Sequence, residues 1–176
     1  MKLTPSQTIG PFFHRRCGGR GEHLLVAADA PGKIHIEGTL YDGEKSPVGD
    51  GLIELWQADA SGRYCHPDDL WPSKFTGFGR AQTVRETGIF TFETIKPGAI
   101  GANAPHLNLT IFARGLLKHL STRLYFPDEE AANAADPVLA AVPEARRSTL
   151  IARLEGGVYH FDIVLQGRDE TVFFDV

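Results

Sequence analysis

Short segments with alternating apolar and polar residues recur along most of the chain, and turn signals close several of them. Residues 33–42 alternate in this way and end at Asp42-Gly43, while residues 88–95 end at Lys96-Pro97-Gly98. A period of two places successive side chains on opposite faces of a β-strand. The other segments of this kind are residues 51–58, 106–113, 120–126, 159–166 and 171–176. About seven short strands separated by turns predict a mostly β fold, a single-domain β-sandwich.

One region has a different character and interrupts the strand pattern. Residues 128–135 are rich in alanine, and residues 143–154 have amphipathic spacing that would place Leu150, Ile151 and Leu154 on one helix face. A proline at position 143 suits the first turn of a helix. We therefore predict a short helical insertion near residues 128–154.

The first 22 residues follow no regular period and contain Gly10-Pro11 among other turn-forming residues. Such a segment needs a surface on which to lie, either its own or that of a partner. We therefore divide the chain into an N-terminal arm, residues 1–22, and a β-sandwich domain, residues 23–176.

Composition excludes several classes of function. The 176 residues carry a formal net charge of -4, which argues against a nucleic-acid-binding or anionic-membrane surface. The apolar runs, such as residues 24–28, are too short to span a bilayer, and the N-terminus lacks the pattern of a secretory signal. Two isolated cysteines, Cys17 and Cys65, form no disulfide framework, so we expect a reduced, cytoplasmic protein.

The segment Pro105-His106-Leu107-Asn108 has the spacing of a metal-binding pair with one ligand replaced. Residues i and i+2 of a strand point to the same face, so a His-x-His pair here would aim two imidazoles at one ion. Asn108 instead supplies an amide, which is a poor ligand for a ferric or zinc ion. The residues alone predict an incomplete metal site.

Several motifs along the chain occur in an order that is known from one enzyme family. They are Thr4-Pro-Ser-Gln-Thr-Ile-Gly-Pro-Phe12, Leu55-Trp-Gln-Ala-Asp59, Gly62-Arg-Tyr64, Thr94-Ile-Lys-Pro-Gly98, Ala104-Pro-His106 and Phe161-Asp-Ile163, with Arg114-Gly115 and residues 122–126 and 171–175 in addition. Together they resemble the intradiol ring-cleaving dioxygenases, from about Thr4 to Val176. The resemblance implies a β-sandwich with helical elaborations and cleavage of aromatic diols by O2 between the two hydroxyl-bearing carbons.

The resemblance also implies a ferric site made by two tyrosines and two histidines in catalytic members of the family. Tyr64 matches the first tyrosine and His106 the first histidine, while Ile100 and Asn108 occupy the regions of the missing phenol and imidazole. Half of a ligand set does not offset the desolvation of a trivalent ion, so we expect no metal in this chain. Without their partners, Tyr64 and His106 are expected to be packed, hydrogen-bonded residues.

The pattern resembles an alpha-type chain of the two-chain members, in which a beta-type chain holds the Fe(III). The resemblance implies that Thr8, Gly10, Pro11 and Arg123 line a pocket at the interface of the two chains, where a guanidinium suits an anionic carboxy-catechol. It further implies that the substrate is protocatechuate, that the product is 3-carboxy-cis,cis-muconate in the beta-ketoadipate pathway, and that alpha-beta units form a larger assembly.

Two alternative functions remain open on the sequence alone. The chain could be a self-sufficient ferric dioxygenase in which His66 or Tyr125 completes the ligand set, although Ile100 and Asn108 count against it. It could also be a non-enzymatic β-sandwich module that binds aromatics or sugars without a partner chain. Iron content and visible colour of the purified chain distinguish these possibilities.

Overall fold

Two β-sheets packed face to face form the body of the protein. The computed structural model describes residues 3–13, 17, 19, 21–65 and 75–175. Within these ranges the chain forms nine strands. They are β1 (Lys33–Tyr41), β2 (Leu52–Trp56), β3 (Phe78–Gln82), β4 (Ile89–Ile95), β5 (His106–Phe112), β6 (Leu120–Tyr125), β7 (Arg153–Glu155), β8 (Val158–His160) and β9 (Ile163–Val164). The predicted mostly β sandwich is confirmed.

The first sheet is built around β1. This strand pairs antiparallel with β4 along one edge and parallel with β8 and β9 along the other, and β7 completes the order β4-β1-β8-β7. The position of Gly38 explains how the chain crosses from β8 to β9 so close to β1. A Cβ atom there would lie 1.9 Å from the carbonyl oxygen of Phe161, so only glycine fits without moving the backbone.

The second sheet is antiparallel and has the strand order β3-β2-β5-β6. One of its faces is apolar and packs on the first sheet, as the period of two in its strands requires. The core between the sheets includes Ile36, Leu40, Phe90, Phe92, Ile53, Leu55, Leu107, Leu109, Ile111 and Leu124, all buried. Each fully buried Leu, Ile or Phe contributes about 1.5–3 kcal/mol to folding. The opposite face of this sheet carries the predicted metal-ligand positions.

The predicted helical insertion is present, but its internal division differs from the prediction. It contains α1 (Glu130–Ala135), α2 (Pro137–Ala141), α3 (Glu144–Arg147) and a 3₁₀ turn (Ser148–Leu150). The sequence analysis missed α2, which starts where the Asp136 carboxylate accepts hydrogen bonds from the backbone of residues 138 and 139. Leu139, Val142 and Leu150 of the insertion pack with Ala104 and Tyr125 in a second apolar cluster.

The prediction of one helix over residues 143–154 was wrong at its C-terminal end. Residues 153–155 form β7, and Leu154 is 45% exposed rather than packed beside Leu150. Gly156 and Gly157 both have positive φ angles, 59° and 84°, which is the requirement of a two-residue hairpin turn. This turn pairs residues 153–155 with β8 and overrides the amphipathic spacing.

Three strand predictions also need correction. Strand β3 was missed because its sequence, FGRAQ, contains little apolar character. The predicted strand 159–166 divides into β8 and β9. Residues 171–175 form no regular strand, although Phe174 makes an isolated bridge to Ser121; Val176 lies outside the described residues. No helix in the described ranges combines the length and apolar character needed to cross a bilayer.

Candidate functional site

The predicted metal-ligand positions gather on the outer face of the second sheet, at the end where β5 begins. The register places Asn108 between Trp56 of β2 and Arg123 of β6. His106, two residues earlier on β5, pairs with Tyr125 of β6. These side chains therefore share one face, as the spacing of His106 and Asn108 predicted.

The loop that follows β2 brings Tyr64 to the same place. One oxygen of Asp59 accepts hydrogen bonds from the backbone N–H groups of Ser61 and Arg63, both at 2.9 Å. Burial alone would raise the pKa of this carboxyl, but the hydrogen bonds from Arg63 and Ser61 outweigh burial and lower the pKa. An ionised Asp59 thus holds the loop in a tight turn.

Close backbone contact fixes this loop against the turn that carries Ile100. A Cβ atom on Gly62 would lie 2.1 Å from the carbonyl oxygen of Ala99, and Gly62 has a φ angle of 79°. Both facts require glycine at this position. The Gly98 N–H donates to the Asp59 carbonyl at 2.9 Å, so Tyr64 and Ile100 belong to two segments that are tied together.

Asn108 contacts Tyr64 directly. Its amide Nδ2 donates a hydrogen bond to the Tyr64 hydroxyl oxygen at 2.9 Å. The Tyr64 ring also stacks on Trp56, with ring centroids 6.1 Å apart and an interplanar angle of 15°. The Asn108 amide therefore takes up one acceptor site of the Tyr64 hydroxyl, at the position where the resemblance predicts an imidazole ligand.

His106 is a buried, neutral residue in this arrangement. Its side chain is 2% exposed, and its Nδ1 lies 2.7 Å from the Ala104 carbonyl oxygen, to which it donates as an N–H group. Burial lowers the pKa of the imidazole, and the nearby Arg123 guanidinium acts in the same direction. The expectation of a packed, hydrogen-bonded histidine agrees with these contacts.

A polar network continues from His106 into the helical insertion. The Tyr125 hydroxyl donates to the Asp136 carboxylate at 3.3 Å and accepts from the Arg123 guanidinium at 3.2 Å. Burial raises the pKa of Tyr125 to about 12. Asp136 also accepts from the Ala104 N–H at 2.8 Å. This carboxylate joins β5, β6 and α2 at one point.

The residues at the four predicted metal-ligand positions do not fit a ferric ion. Ile100 supplies no ligand atom from its side chain, and its backbone is occupied in a turn with Asn103. The donor set is one phenol that already accepts a hydrogen bond, one buried imidazole and one amide. Among the described residues, no three His, Cys, Asp or Glu side chains lie close enough to hold a metal ion. His66, considered as a substitute ligand, lies outside the described residues, and Tyr125 is committed to Arg123 and Asp136.

The predicted arm residues lie at the other end of the second sheet. The Thr8 hydroxyl accepts a hydrogen bond from the Gly115 N–H at 2.7 Å. The Phe13 ring lies 5.4 Å from the ring of Phe112, the last residue of β5. A cavity of about 480 Å³ opens beside the arm and is lined by Gly10, Pro11, Phe12, Gly49, Asp50, Arg85 and Arg114. We call it the arm cavity.

The structure therefore brings Thr8, Gly10 and Pro11 together, but it does not bring them to Arg123. Asn108 pairs with Arg123, and β5 runs on from Asn108 for four residues, about 14 Å, to Phe112 before the turn that holds Arg114. The arginines beside the arm are Arg85 and Arg114. The sequence analysis gave neither arginine a role. The signal that points to Arg114 is the Arg114-Gly115 dipeptide, which is one of the ordered motifs of the family.

Comparison with known proteins agrees with the fold and with the motif pattern. A family model described as dioxygenase (Dioxygenase_C) matches residues 9–167. The chain belongs to the intradiol dioxygenase family. It is 45% identical to the protocatechuate 3,4-dioxygenase alpha chain of Burkholderia cepacia, over 100% of this chain and 98% of that one. The family membership predicted from the ordered motifs is confirmed.

Two further members of the family show how widely its fold is shared. The protocatechuate 3,4-dioxygenase beta chain of B. cepacia is 39% identical over 94% of this chain and 77% of its own length. The structure of the dioxygenase domain of a dioxygenase carbohydrate-binding protein fusion from Streptomyces sp. SirexAA-E superposes with a TM-score of 0.63 at 28% identity, over 95% of this chain and 100% of that one.

Proposed function

We propose that this chain is the alpha subunit of a protocatechuate 3,4-dioxygenase, with a beta-type chain as its partner. The complex cleaves protocatechuate with O2 between the two hydroxyl-bearing carbons and gives 3-carboxy-cis,cis-muconate, a step of the beta-ketoadipate pathway in the cytoplasm. Alpha-beta units assemble into a larger hetero-oligomer. The full-length similarity to the B. cepacia alpha chain supports this proposal.

The observation that carries the proposal is the contact between Asn108 and Tyr64. An intradiol dioxygenase is an iron enzyme, and here the position beside Tyr64 carries an amide, a poor metal ligand, whose N–H donates to the phenol oxygen. The chain therefore acts through a partner that supplies the Fe(III). The alternative of a self-sufficient ferric enzyme needs four ligands and has only Tyr64 and His106 at matching positions.

We further propose that the arm cavity supplies this chain's part of the substrate pocket. Gly10 and Pro11 form a rigid wall there, and Thr8 attaches the arm to the body of the protein through Gly115. Arg114 lies in the same cavity and supplies a guanidinium for the carboxylate of protocatechuate. The motif pattern predicted Arg123 for this role. Arg123 lies near the start of β5, away from the arm, so it belongs to the pocket only if the beta-type chain covers both the start and the end of β5.

Co-expression with a beta-type chain encoded in the same genome tests the proposal. The chain expressed alone should contain no stoichiometric iron, should be colourless and should not consume O2 in the presence of protocatechuate. The co-expressed complex should contain iron, absorb in the visible through a tyrosinate-to-iron charge-transfer band, and open the ring. One tightly bound iron per chain in the protein expressed alone would support the self-sufficient enzyme instead.

The same preparations test the third function, that of a binding module. A module that recognises aromatics by itself would bind protocatechuate or catechol without the beta-type chain, with unchanged affinity after co-expression. An alpha subunit should bind protocatechuate tightly only as part of the complex, because most of the pocket belongs to the partner.

A further inference from the structure

The residues that line the arm cavity carry a net positive charge. Two arginines, Arg85 and Arg114, and one aspartate, Asp50, are among the residues that line it. Arg114 and Asp50 form an ion pair at 3.5 Å. Within the described part of the chain, the Arg85 guanidinium makes no ion pair. The cavity therefore retains one uncompensated positive charge.

The backbone of Arg85 is fixed beside the arm. The Gly88 N–H donates to the Val84 carbonyl at 2.7 Å and closes the turn between β3 and β4 that contains Arg85. A Cβ atom on Gly49 would lie 2.0 Å from the carbonyl oxygen of Arg85, so this turn packs directly on the segment that leads to Asp50. The backbone of Arg85 is therefore held in place at the rim of the arm cavity.

A cavity with a net positive charge attracts anions and binds planar carboxylates through the fork of a guanidinium. Asp50 reduces the charge that Arg114 presents, whereas no described carboxylate does so for Arg85. Arg85, whose guanidinium lacks a described partner, should therefore attract an incoming carboxylate more strongly than Arg114 does. Its charge also acts on anions outside the cavity.

We propose that Arg85 is a specificity-determining residue of the arm cavity, which selects aromatic ligands that carry a carboxylate over those that do not. This inference rests on the proposed function for the identity of the ligand, and it adds a second guanidinium to the one that Arg114 supplies. The class of ligand is an aromatic monocarboxylate, with neutral phenols and diols discriminated against.

The test compares Arg85→Ala and Arg85→Lys with wild type in the co-expressed complex, with Arg153→Ala as the control. Arg153 is an exposed arginine of the first sheet, so its removal changes the net charge equally but leaves the arm cavity intact. Two measurements are made: kcat/KM for protocatechuate and for catechol, and calorimetric titration of 4-hydroxybenzoate and of phenol.

Arg85→Ala should lower kcat/KM for protocatechuate by about fivefold, the value of one partly exposed charge interaction, through a higher KM with kcat nearly unchanged. It should weaken 4-hydroxybenzoate binding by a similar factor while catechol turnover and phenol binding stay the same. Arg85→Lys should recover part of the loss, and Arg153→Ala should behave as wild type.

Two failures are distinguishable. If the complex is active but Arg85→Ala binds 4-hydroxybenzoate and turns over protocatechuate as wild type does, the inference about Arg85 is wrong and the proposed function stands. If no variant cleaves protocatechuate, the proposed function is wrong. The calorimetric comparison of 4-hydroxybenzoate with phenol then still decides whether Arg85 selects carboxylates, since it does not depend on catalysis.

Discussion

Asn108 occupies the position at which the motif pattern predicts the second histidine ligand of an iron site. Histidine and asparagine are both polar residues that a strand on a partly covered sheet face can hold. The change of chemistry is large, because an imidazole nitrogen offers a lone pair to a metal while the amide N–H of Asn108 donates to Tyr64. The sequence predicted an amide at this position, and the structure shows that its N–H donates to the Tyr64 hydroxyl.

Replacing Asn108 by His should not restore iron binding. The change supplies a second imidazole beside His106, but position 100 still lacks a phenol, and the backbone of Ile100 is fixed in its turn with Asn103. Elemental analysis of Asn108→His, purified after growth with excess iron, should find less than stoichiometric metal. A coloured ferric protein would show that the assignment of the four ligand positions is wrong.

The stability of the protein should fall as the pH rises from about 10 to about 12. Burial raises the pKa of Tyr125 to about 12, above the ordinary value near 10 that applies in the unfolded chain. As the pH rises, Tyr125 therefore loses its proton in the unfolded state before it does so in the folded state. Across this range the free energy of unfolding falls by roughly 2–3 kcal/mol at most. Urea unfolding at several pH values measures the loss.

The variant Tyr125→Phe is the comparison for this prediction, because every other titrating group is common to both proteins. It should be less stable than wild type at pH 8 because Asp136 and Arg123 lose a partner, but its stability should decline less steeply above pH 10. Parallel pH profiles for the two proteins would mean that Tyr125 is not the group responsible.

Arg114→Ala and Arg123→Ala should have unequal effects on the complex. Removing Arg114 takes a guanidinium from the arm cavity, and the loss of one charge-assisted hydrogen bond is worth about 1.5–3 kcal/mol in kcat/KM for protocatechuate. Removing Arg123 should mainly disturb Tyr125 and Asn103, which it contacts at 3.2 and 3.5 Å. Iron content should stay the same in both variants, and plain catechol should be less affected than protocatechuate.

The result of this pair decides between two assignments. A larger loss in Arg114→Ala places the substrate carboxylate at the arm end of the sheet, as the cavity geometry favours. A larger loss in Arg123→Ala would assign carboxylate binding to Arg123, as the motif pattern predicted. The partner chain would then have to close over the end of the sheet where β5 begins.

At the scale of elements, the strands were more predictable than the insertion. Residues 33–41, 89–95 and 106–112 alternate clearly because one face of each strand is buried in the sandwich, and their bounds follow from that. The insertion obeys no such repeat. Its course depends on the carboxylate of Asp136, which caps α2, and on the Gly156-Gly157 turn, which overrides the helix periodicity at the end of residues 143–154.

Asp136 should therefore matter more for stability than its place in a short helical segment indicates. It is fully buried and accepts hydrogen bonds from the N–H groups of Val138, Leu139 and Ala104 and from the Tyr125 hydroxyl. Asp136→Ala should cost about 2–4 kcal/mol in the free energy of unfolding, the sum of a lost cap and of buried donors left without acceptors. Chemical denaturation of the purified variant measures this cost.

Asp128→Ala is a matched control for that measurement. Asp128 also lies in the insertion; it pairs with Lys96 and accepts from the Tyr159 hydroxyl at 3.1 Å, but its side chain is 42% exposed, so its removal should cost only about 1–2 kcal/mol. Equal costs for the two variants would contradict the role given to Asp136.

For the whole molecule, the sequence predicted the fold and the family but not how the candidate residues are distributed in space. The ordered motifs extend over nearly the full chain, so both conclusions have redundant support. The separation of the arm cavity from Arg123 depends on strand register, since Asn108 pairs with Arg123 while Thr8 reaches Gly115 beyond the end of β5. Register between distant strands is not encoded by any single segment.

Removal of the arm should affect activity more than stability. Most of its described residues are exposed, and its attachment includes one exposed hydrogen bond, from Gly115 to Thr8, and the contact of Phe13 with Phe112. Deleting residues 1–11 should change the free energy of unfolding by about 1 kcal/mol or less. The same deletion in the co-expressed complex should lower kcat/KM for protocatechuate, because a wall of the arm cavity is gone. A stable, fully active truncated complex would exclude the arm from the substrate pocket.

The parallel pairing of β1 with β8 and β9 sets the order in which the chain can finish folding. His35 pairs with Val158 and Leu40 with Ile163, partners separated by more than a hundred residues. During synthesis β1 can pair with β4 once β2 and β3 have also been made, but the other edge of β1 stays open until residues 158–164 have left the ribosome. An unpaired strand edge is a template for pairing with other chains. The nascent chain is therefore exposed to edge-to-edge aggregation during the interval between these two events.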